Sequence, residues 1–211
     1  MKDLIIVGAG AMAREILWIA KDCNQSKEEY NILGFLDYFE DGRSLKGYEC
    51  SCKVIGTIAD WKPKSNQYFV MGIQDSKYKR DAVRILKGKG AKFISLIHPT
   101  CVICDTAKYG EGFVLYAYCK LGPNCEIGDF VASQSTISHD CVVGDFSKIS
   151  GMCGLGGGVH IGHDTFLATG VNVVPHVEIG DNVQCGIGSV IIKNIKSDSK
   201  VFGNPAKKME L

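Results

Sequence analysis

The sequence carries no excess of charge of either sign, no long apolar run and no export signal. Lys and Arg number 24 against 23 for Asp and Glu, a balance that argues against a nucleic-acid binder or a protein held on acidic lipid. No apolar stretch approaches the ~18 residues of a membrane helix. The first apolar stretch, LIIVGAGAMA, runs into Arg14 and Glu15 without a cleavage-type flank, so no signal peptide is read there and the expected setting is cytoplasmic. Without such a signal, the ten cysteines read as buried thiols rather than a disulfide scaffold. Metal-type spacing is also scarce. Cys101-x-x-Cys104 has no second pair, and His160, His163 and His176 lack a carboxylate-rich companion, so no metal is expected.

What is present is enough apolar sequence for a core and an uneven supply of glycine. The 211 residues are 45% apolar, which fits one ordinary domain or two small ones. Of 25 glycines, fifteen lie between His98 and Ile192. The change in composition divides the chain into residues 1–97, residues 98–192 and a tail, 193–211.

The first part alternates strand and helix patterns. Asp3–Val7, Asn31–Asp37, Gln67–Gly72 and Lys92–Ile97 read as strands, and Ala11–Cys23 and Lys77–Lys87 as helices. Ile16, Ile19 and Ala20 supply the apolar stripe of the first helix, and Tyr38–Lys53 reads as a polar loop. Strand, helix, strand at this spacing implies a parallel sheet with right-handed crossovers. Gly8-Ala9-Gly10-Ala11-Met12-Ala13 joins the first strand to the first helix, a dinucleotide-type turn with Ala13 in place of the third glycine. Such a turn lets backbone N–H groups and the helix N-terminus face an anion. Asp37 closes the second strand, where a carboxylate can accept from a ribose or a base. A tight turn without a ligand is the plain alternative. Fewer than 100 residues supply little more than one mononucleotide half, so the pyrophosphate of a nucleotide-sugar suits the turn better than NAD.

From residue 98 the period is six. An apolar or aromatic residue precedes glycine at Tyr109, Ile127, Val143, Ile161 and Ile179, at spacings of 18, 16, 18 and 18. From Val143 the register runs through Ile149, Leu155, Ile161, Leu167, Val173, Ile179, Cys185 and Ile191, all apolar. Three flats of six residues make one 18-residue coil of a triangular β-helix whose register residues point inward. The glycines, Asp and Asn beside them (Gly128-Asp129, Gly144-Asp145, Gly180-Asp181-Asn182) are expected in turn conformations at the corners. The coil from Ile127 to Val143 is two residues short, so a corner must pinch. That coil contains Ser138-His139-Asp140-Cys141. A neutral imidazole accepts a proton near pH 7, and an adjacent carboxylate raises its basicity and fixes its tautomer. The pair can meet only at a bend, which the short coil can provide. His98, in His-Pro, reads as structural.

Gly8-Ala-Gly10, Gly34-Phe-Leu-Asp37, Ile97-His98-Pro99, Ser138-His139-Asp140-Cys141-x-x-Gly144-Asp145 and Gly203-Asn204-Pro205-Ala206-Lys207 together resemble one family. It is the sugar O- and N-acyltransferases related to sialic acid O-acetyltransferase and to bacterial acetyltransferases acting on UDP-4-amino-sugars. The resemblance implies an α/β, Rossmann-like N-terminal domain holding the UDP moiety and a C-terminal left-handed parallel β-helix that binds acetyl-CoA. It also implies a homotrimer with active sites between subunits. By motif position, His139 is the general base and Asp140 tunes it. The nucleotide contacts fall on Gly8, Gly10, Ala11, Met12, Asp37, Tyr38, Phe39, Gly72 and Ile73, and the acetyl-CoA contacts on Lys148, Gly157, Thr169 and Ile187. Ala11-Met12 stands where some members have Gly-His, and Lys148 where some have histidine. The run Cys153-Gly-Leu-Gly-Gly-Gly158 suits an oxyanion hole or a flexible corner. O-acetylation of sialic acid or another sugar, an acyl intermediate on Cys141, and an inert binder of both ligands are the competing readings.

Overall fold

The computed structural model describes residues 1–209, and its contacts divide the chain into Met1–Pro99 and Thr100–Leu211. Among the described residues no helix is long and apolar enough to cross a membrane.

In the first unit, β1 (Lys2–Val7), β2 (Tyr30–Asp37), β3 (Val54–Thr57), β4 (Gln67–Met71) and β5 (Lys92–Phe93) form one sheet in the order β3-β2-β1-β4-β5. Every pairing is parallel. β1 is central, and Leu4, Ile5, Ile6 and Val7 are all buried, as an unbroken apolar run requires when both faces are covered. Helix α1 (Ala11–Ser26) buries Ile16, Ile19 and Ala20 together with Met12, Ala13 and Leu17. Helix α2 (Ser76–Lys87) is capped by Asp75, whose carboxylate accepts from the Tyr78 N–H at 3.1 Å, and it ends on Arg84 and Lys87, matching its dipole. Two features depart from the sequence reading. The unassigned Val-Ile-Gly-Thr stretch forms the edge strand β3, half-buried along its length, so it shows neither alternation nor an apolar run. The strand expected over Lys92–Ile97 breaks at Ile94-Ser95, leaving Leu96–Ile97 as a separate short strand.

The second unit is a parallel β-helix of two-residue strands. Lys108–Tyr109, Glu126–Ile127, Val142–Val143, His160–Ile161 and Glu178–Ile179 stack in parallel on one face. A second face stacks Val114–Leu115, Ala132–Ser133, Lys148–Ile149, Phe166–Leu167, Gln184–Cys185 and Lys200–Phe202. All nine register residues from Val143 to Ile191 are buried. The third face is interrupted: Val102–Ile103 pairs with Lys120–Leu121, and Gly154–Leu155 with Asn172–Val173 and Val190–Ile191. Between these sets runs only an isolated bridge, Leu121 to Ile137.

That gap locates the missing residues. Ser133 lies 18 residues beyond its partner Leu115, but Ile137 lies 16 beyond Leu121. The shortening therefore falls between Ser133 and Ile137, at the corner preceding His139. Left-handed corner residues recur every six positions at Tyr118, Asn124 and Phe130, then skip to Asp140, Phe146 and Met152. A second 16-residue step, unseen in the sequence, joins Ile179 to Ile195. The segment read as a tail from residue 193 thus continues the coil, with Lys200–Phe202 parallel to Gln184–Cys185 and Lys207–Lys208 antiparallel to Lys200–Phe202; residues 210–211 lie outside the described residues.

The corner glycines have a different role from the one expected. Gly128, Gly144 and Gly180 do not adopt positive φ; the left-handed residues are Phe130, Phe146 and Asn182, two positions later. A Cβ on Gly128 would strike the Asp145 carboxylate, and one on Gly180 would strike Ser197. These side chains form a ladder that accepts backbone N–H groups of the neighbouring coil. Asp129 accepts from Glu111 at 2.8 Å, Asp145 from Asp129 at 2.8 Å, His163 Nδ1 from Asp145 at 2.9 Å, and Asp181 from His163 at 2.7 Å. Glycine is needed for close approach between coils, not for dihedral freedom.

Candidate active site

In the first unit the sheet order reverses between β2-β1 and β1-β4, so the carboxyl ends of these strands diverge at a switch point. A cavity of about 410 Å³ opens there. Gly8, Gly10, Ala11 and Met12 wall it from the β1–α1 turn, Asp37, Tyr38 and Phe39 from the end of β2, and Gly72 and Ile73 from the end of β4. The structure thus brings all nine expected nucleotide residues around one space. Ser44, Gln74 and Tyr78 also line it; no local motif marks them, because they reach the cavity from a 3₁₀ turn, a strand end and the first turn of α2.

Close packing fixes this corner. A Cβ on Gly72 would lie 2.8 Å from the Ala13 Cβ and 3.0 Å from the Val7 oxygen, which is why Ala13 can replace the third glycine of the turn. Gly10, the N-cap of α1, has no side-chain cap, and its own missing Cβ faces open space. The first turn of the helix therefore presents backbone N–H groups toward an approaching anion. Asp37 is 7% exposed; its Oδ1 accepts from the Tyr38 N–H at 2.8 Å, while its Oδ2 is buried with no hydrogen-bond partner. Orphaning a buried carboxylate oxygen is costly, and a ligand N–H or O–H is the partner this position calls for. Tyr38 donates to the Tyr78 carbonyl at 2.9 Å, and burial followed by the nearby Asp81 pushes its phenol up to about 12, so it remains a donor.

In the second unit, His139 follows the pinched corner. Its Nδ1 lies 2.7 Å from Asp140 Oδ2, with side-chain exposures of 59% and 54%. Asp140 takes φ +59°, the bend that lets adjacent residues meet. With Nδ1–H donating to the carboxylate, Nε2 is left as the basic nitrogen. Hydrogen bonds from His139 and then from Asn124 hold the Asp140 carboxyl below the usual carboxylate range. The imidazole lies directly against Gly157, where a Cβ would overlap the ring. The run Gly156-Gly157-Gly158 thereby receives Pro175, His139 and His176 in turn. Gly158 N–H donates to the His139 carbonyl at 2.9 Å and Gly156 N–H to that of Val173 at 2.9 Å, so two of the three amides of this run are engaged between coils.

The expected acetyl-CoA residues do not form one cluster. Thr169 and the 65%-exposed Ile187 stand one rung apart on one corner, linked by Gly188 N–H to the Thr169 carbonyl at 2.9 Å. Gly157 belongs with His139, and Lys148 is 7% exposed on another face with its Nζ 6.0 Å from the Phe166 ring centre. Cys141 is fully buried, its Sγ donates to Gly156 O at 3.4 Å, and burial pushes its thiol up, which removes it as a nucleophile. His98 is buried against Asp22 at 3.0 Å. Among the described residues no group of His, Cys, Asp or Glu is arranged to hold a metal ion.

Three comparisons bear on this pair of sites. Residues 3–86 match the model of the PglD N-terminal domain. The chain is 28% identical to the GDP-perosamine N-acetyltransferase of Escherichia coli O157:H7, covering 97% of this chain and 95% of that one. It superposes with a TM-score of 0.85 on the acetyltransferase domain of PglB from Neisseria gonorrhoeae FA1090 in complex with acetyl coenzyme A, at 27% identity over 99% of both chains. PerB from Caulobacter crescentus, solved with CoA and GDP-perosamine, shares the fold at 24% identity and a TM-score of 0.85 over 100% of this chain and 98% of that one.

Proposed function

We propose that the chain, which is similar to sugar N-acetyltransferases over nearly its whole length, moves an acetyl group from acetyl-CoA to the amine of a nucleotide-linked 4-amino-sugar, with His139 as general base. The observation that carries this reading is the 2.7 Å pairing of His139 with Asp140 at the shortened coil. In the step, the amine nitrogen forms a bond to the thioester carbonyl carbon while His139 Nε2 takes its proton. The oxyanion faces the Gly157 N–H, the carbon–sulfur bond breaks, and the leaving thiolate takes the proton from His139 or water. A positioned base contributes about 10²–10⁴-fold and an oxyanion donor about 10²–10³-fold; holding both substrates in register supplies more. No enzyme nucleophile is required.

The α/β unit is Rossmann-like in this reading and holds the nucleotide, its pyrophosphate at the head of α1 and its sugar or base on the free oxygen of Asp37. The β-helix, left-handed in this reading, holds acetyl-CoA through Gly157, Thr169, Ile187 and Lys148, which lie apart on one chain and so would meet one ligand only across neighbouring subunits. The enzyme works in the cytoplasm as a homotrimer, with active sites between subunits, in the assembly of surface glycans. The motif pattern favours a UDP-sugar, whereas the GDP-perosamine N-acetyltransferase relative favours a GDP-sugar as the second reading. Calorimetry with UDP, GDP and CMP separates these: the preferred diphosphate binds with the highest affinity, and a preference for CMP would turn the assignment toward sialic acid. His139→Ala tests the base. Thiol release from acetyl-CoA should fall about 10²–10⁴-fold, and retention of more than a tenth of the original rate removes the assignment.

A further inference from the structure

The Asp140 carboxylate is held from below as well as from its side. Asn124 lies 16 residues earlier, on the preceding coil, and its Nδ2 donates to Asp140 Oδ1 at 3.0 Å. Its own N–H donates to Thr106 Oγ1 at 3.0 Å, a further coil away. Asn124 and Asp140 both adopt left-handed backbone, with φ of +57° and +59°, and Asp140 N–H donates to the Pro123 carbonyl at 2.9 Å. The short coil creates this alignment: an 18-residue step from Asn124 would reach residue 142, a strand position, and the two-residue loss brings Asp140 over it instead.

We propose that Asn124 is a positioning residue for the acyl transfer: by occupying Oδ1 of Asp140 it commits Oδ2 to the His139 Nδ1–H and so keeps Nε2 as the nitrogen that accepts the substrate proton. The inference rests on the general-base reading of His139. A carboxylate held through Oδ1 is restrained in orientation and turns Oδ2 to the imidazole, which is thereby fixed in both tautomer and direction. The other titratable groups reached by the field of Asp140 are His176, two coils above Asp140's own, and the buried thiols of Cys125 and Cys141.

The molecule contains its own control. At the second 16-residue step, Asn182 Nδ2 donates to Asp198 Oδ1 at 2.8 Å, the same clasp at the same offset, but the residue before Asp198 is Ser197. A purely structural clasp predicts equal consequences at both places. The positioning role predicts that Asn182→Ala lowers Tm and leaves kcat within twofold, whereas Asn124→Ala lowers kcat about tenfold with both KM values within twofold. Asn124→Asp sets a second carboxylate, ionised above about pH 6, against Asp140 Oδ1, so it should lose kcat at least as far as Asn124→Ala. In a His139→Ala background, Asn124→Ala should have no further effect on the residual rate. Two results overturn the proposal: kcat of Asn124→Ala or Asn124→Asp within twofold of wild type, or an equal loss of kcat in Asn182→Ala. A His139→Ala enzyme that keeps its rate would instead refute the underlying base assignment.

Discussion

The cavity in Met1–Pro99 is bare of side chains at Gly8, Gly10 and Gly72, with Met12, Tyr38 and Tyr78 among its other walls and a single buried carboxylate set into it. In Thr100–Leu211 the groups proposed for proton transfer are exposed side chains, His139 and Asp140, the ring seated on a glycine that leaves room for it. The α/β unit makes its site by diverging strands, a property of topology that any sequence of that order shares. The β-helix has no such point, because each rung repeats the last, and it loses two residues at two places, of which one sets His139 beside Asp140. The first plan suits a ligand gripped through backbone amides; the second suits a proton transfer that needs one well-aimed side chain.

The largest expected effect sharpens that contrast. Gly157→Ala should displace the His139 ring and lower turnover about 10²-fold, while calorimetry finds nucleotide affinity unchanged. Unchanged turnover would mean that the ring's seat on Gly157 is irrelevant. The reciprocal variant is Asp37→Ala. A lost hydrogen bond to a charged group is worth about 1.5–3 kcal/mol, so nucleotide affinity should weaken roughly ten- to a hundredfold with acetyl-CoA affinity untouched. Because Asp37 Oδ2 is orphaned without a ligand, the ligand-free Tm should not fall, and a clear drop would show that the carboxylate serves the fold instead.

A smaller effect probes the main-chain wall itself. Gly72→Ala forces a methyl against Ala13 and the Val7 carbonyl, and overpacking of this kind costs about 1–3 kcal/mol; denaturant titration should show that loss. The smallest effect concerns the interiors. In the α/β unit Cys23, Cys50 and Cys52 are half-buried, whereas Cys185 is buried inside the β-helix and its thiol is pushed up to about 12 by burial and then by Cys153. Below pH 9 the thiol is neutral in folded and unfolded chains alike. Above it the unfolded chain releases a proton that folded Cys185 keeps, so stability should decline as pH rises from 9 toward 12, by at most about 1.4 kcal/mol per pH unit. Cys185→Val should flatten that slope, and an unchanged slope would place the alkaline weakness elsewhere.

Much of this was legible in the sequence where one residue type reports one constraint. The register from Val143 to Ile191 marked the interior because an inward position on a rung tolerates only apolar side chains. The two-residue deficit between Ile127 and Val143 marked the unusual coil. What stayed hidden depends on contacts between coils. Which corner pinches follows from the Leu121–Ile137 bridge, and the clasp of Asn124 on Asp140 follows from the offset that the pinch creates. The glycines beside Asp129, Asp145 and Asp181 looked like turn formers, since nothing local distinguishes a dihedral need from a spatial one. β3 escaped because a half-buried edge strand containing glycine has neither periodicity nor bulk. The second 16-residue step escaped because the apolar-glycine pair that flagged the others is Ile195-Lys196 there.

A stack of equal rungs has translational symmetry, and a group placed on it would find equivalent surroundings at several heights. The pinch before His139, with the second one beyond Ile179, breaks that equivalence and gives the solenoid distinct addresses. Deleting two residues from another corner, and restoring two at this one, would be expected to carry the address along the stack; in such a scaffold the position of the chemistry is written in spacing as much as in side chains.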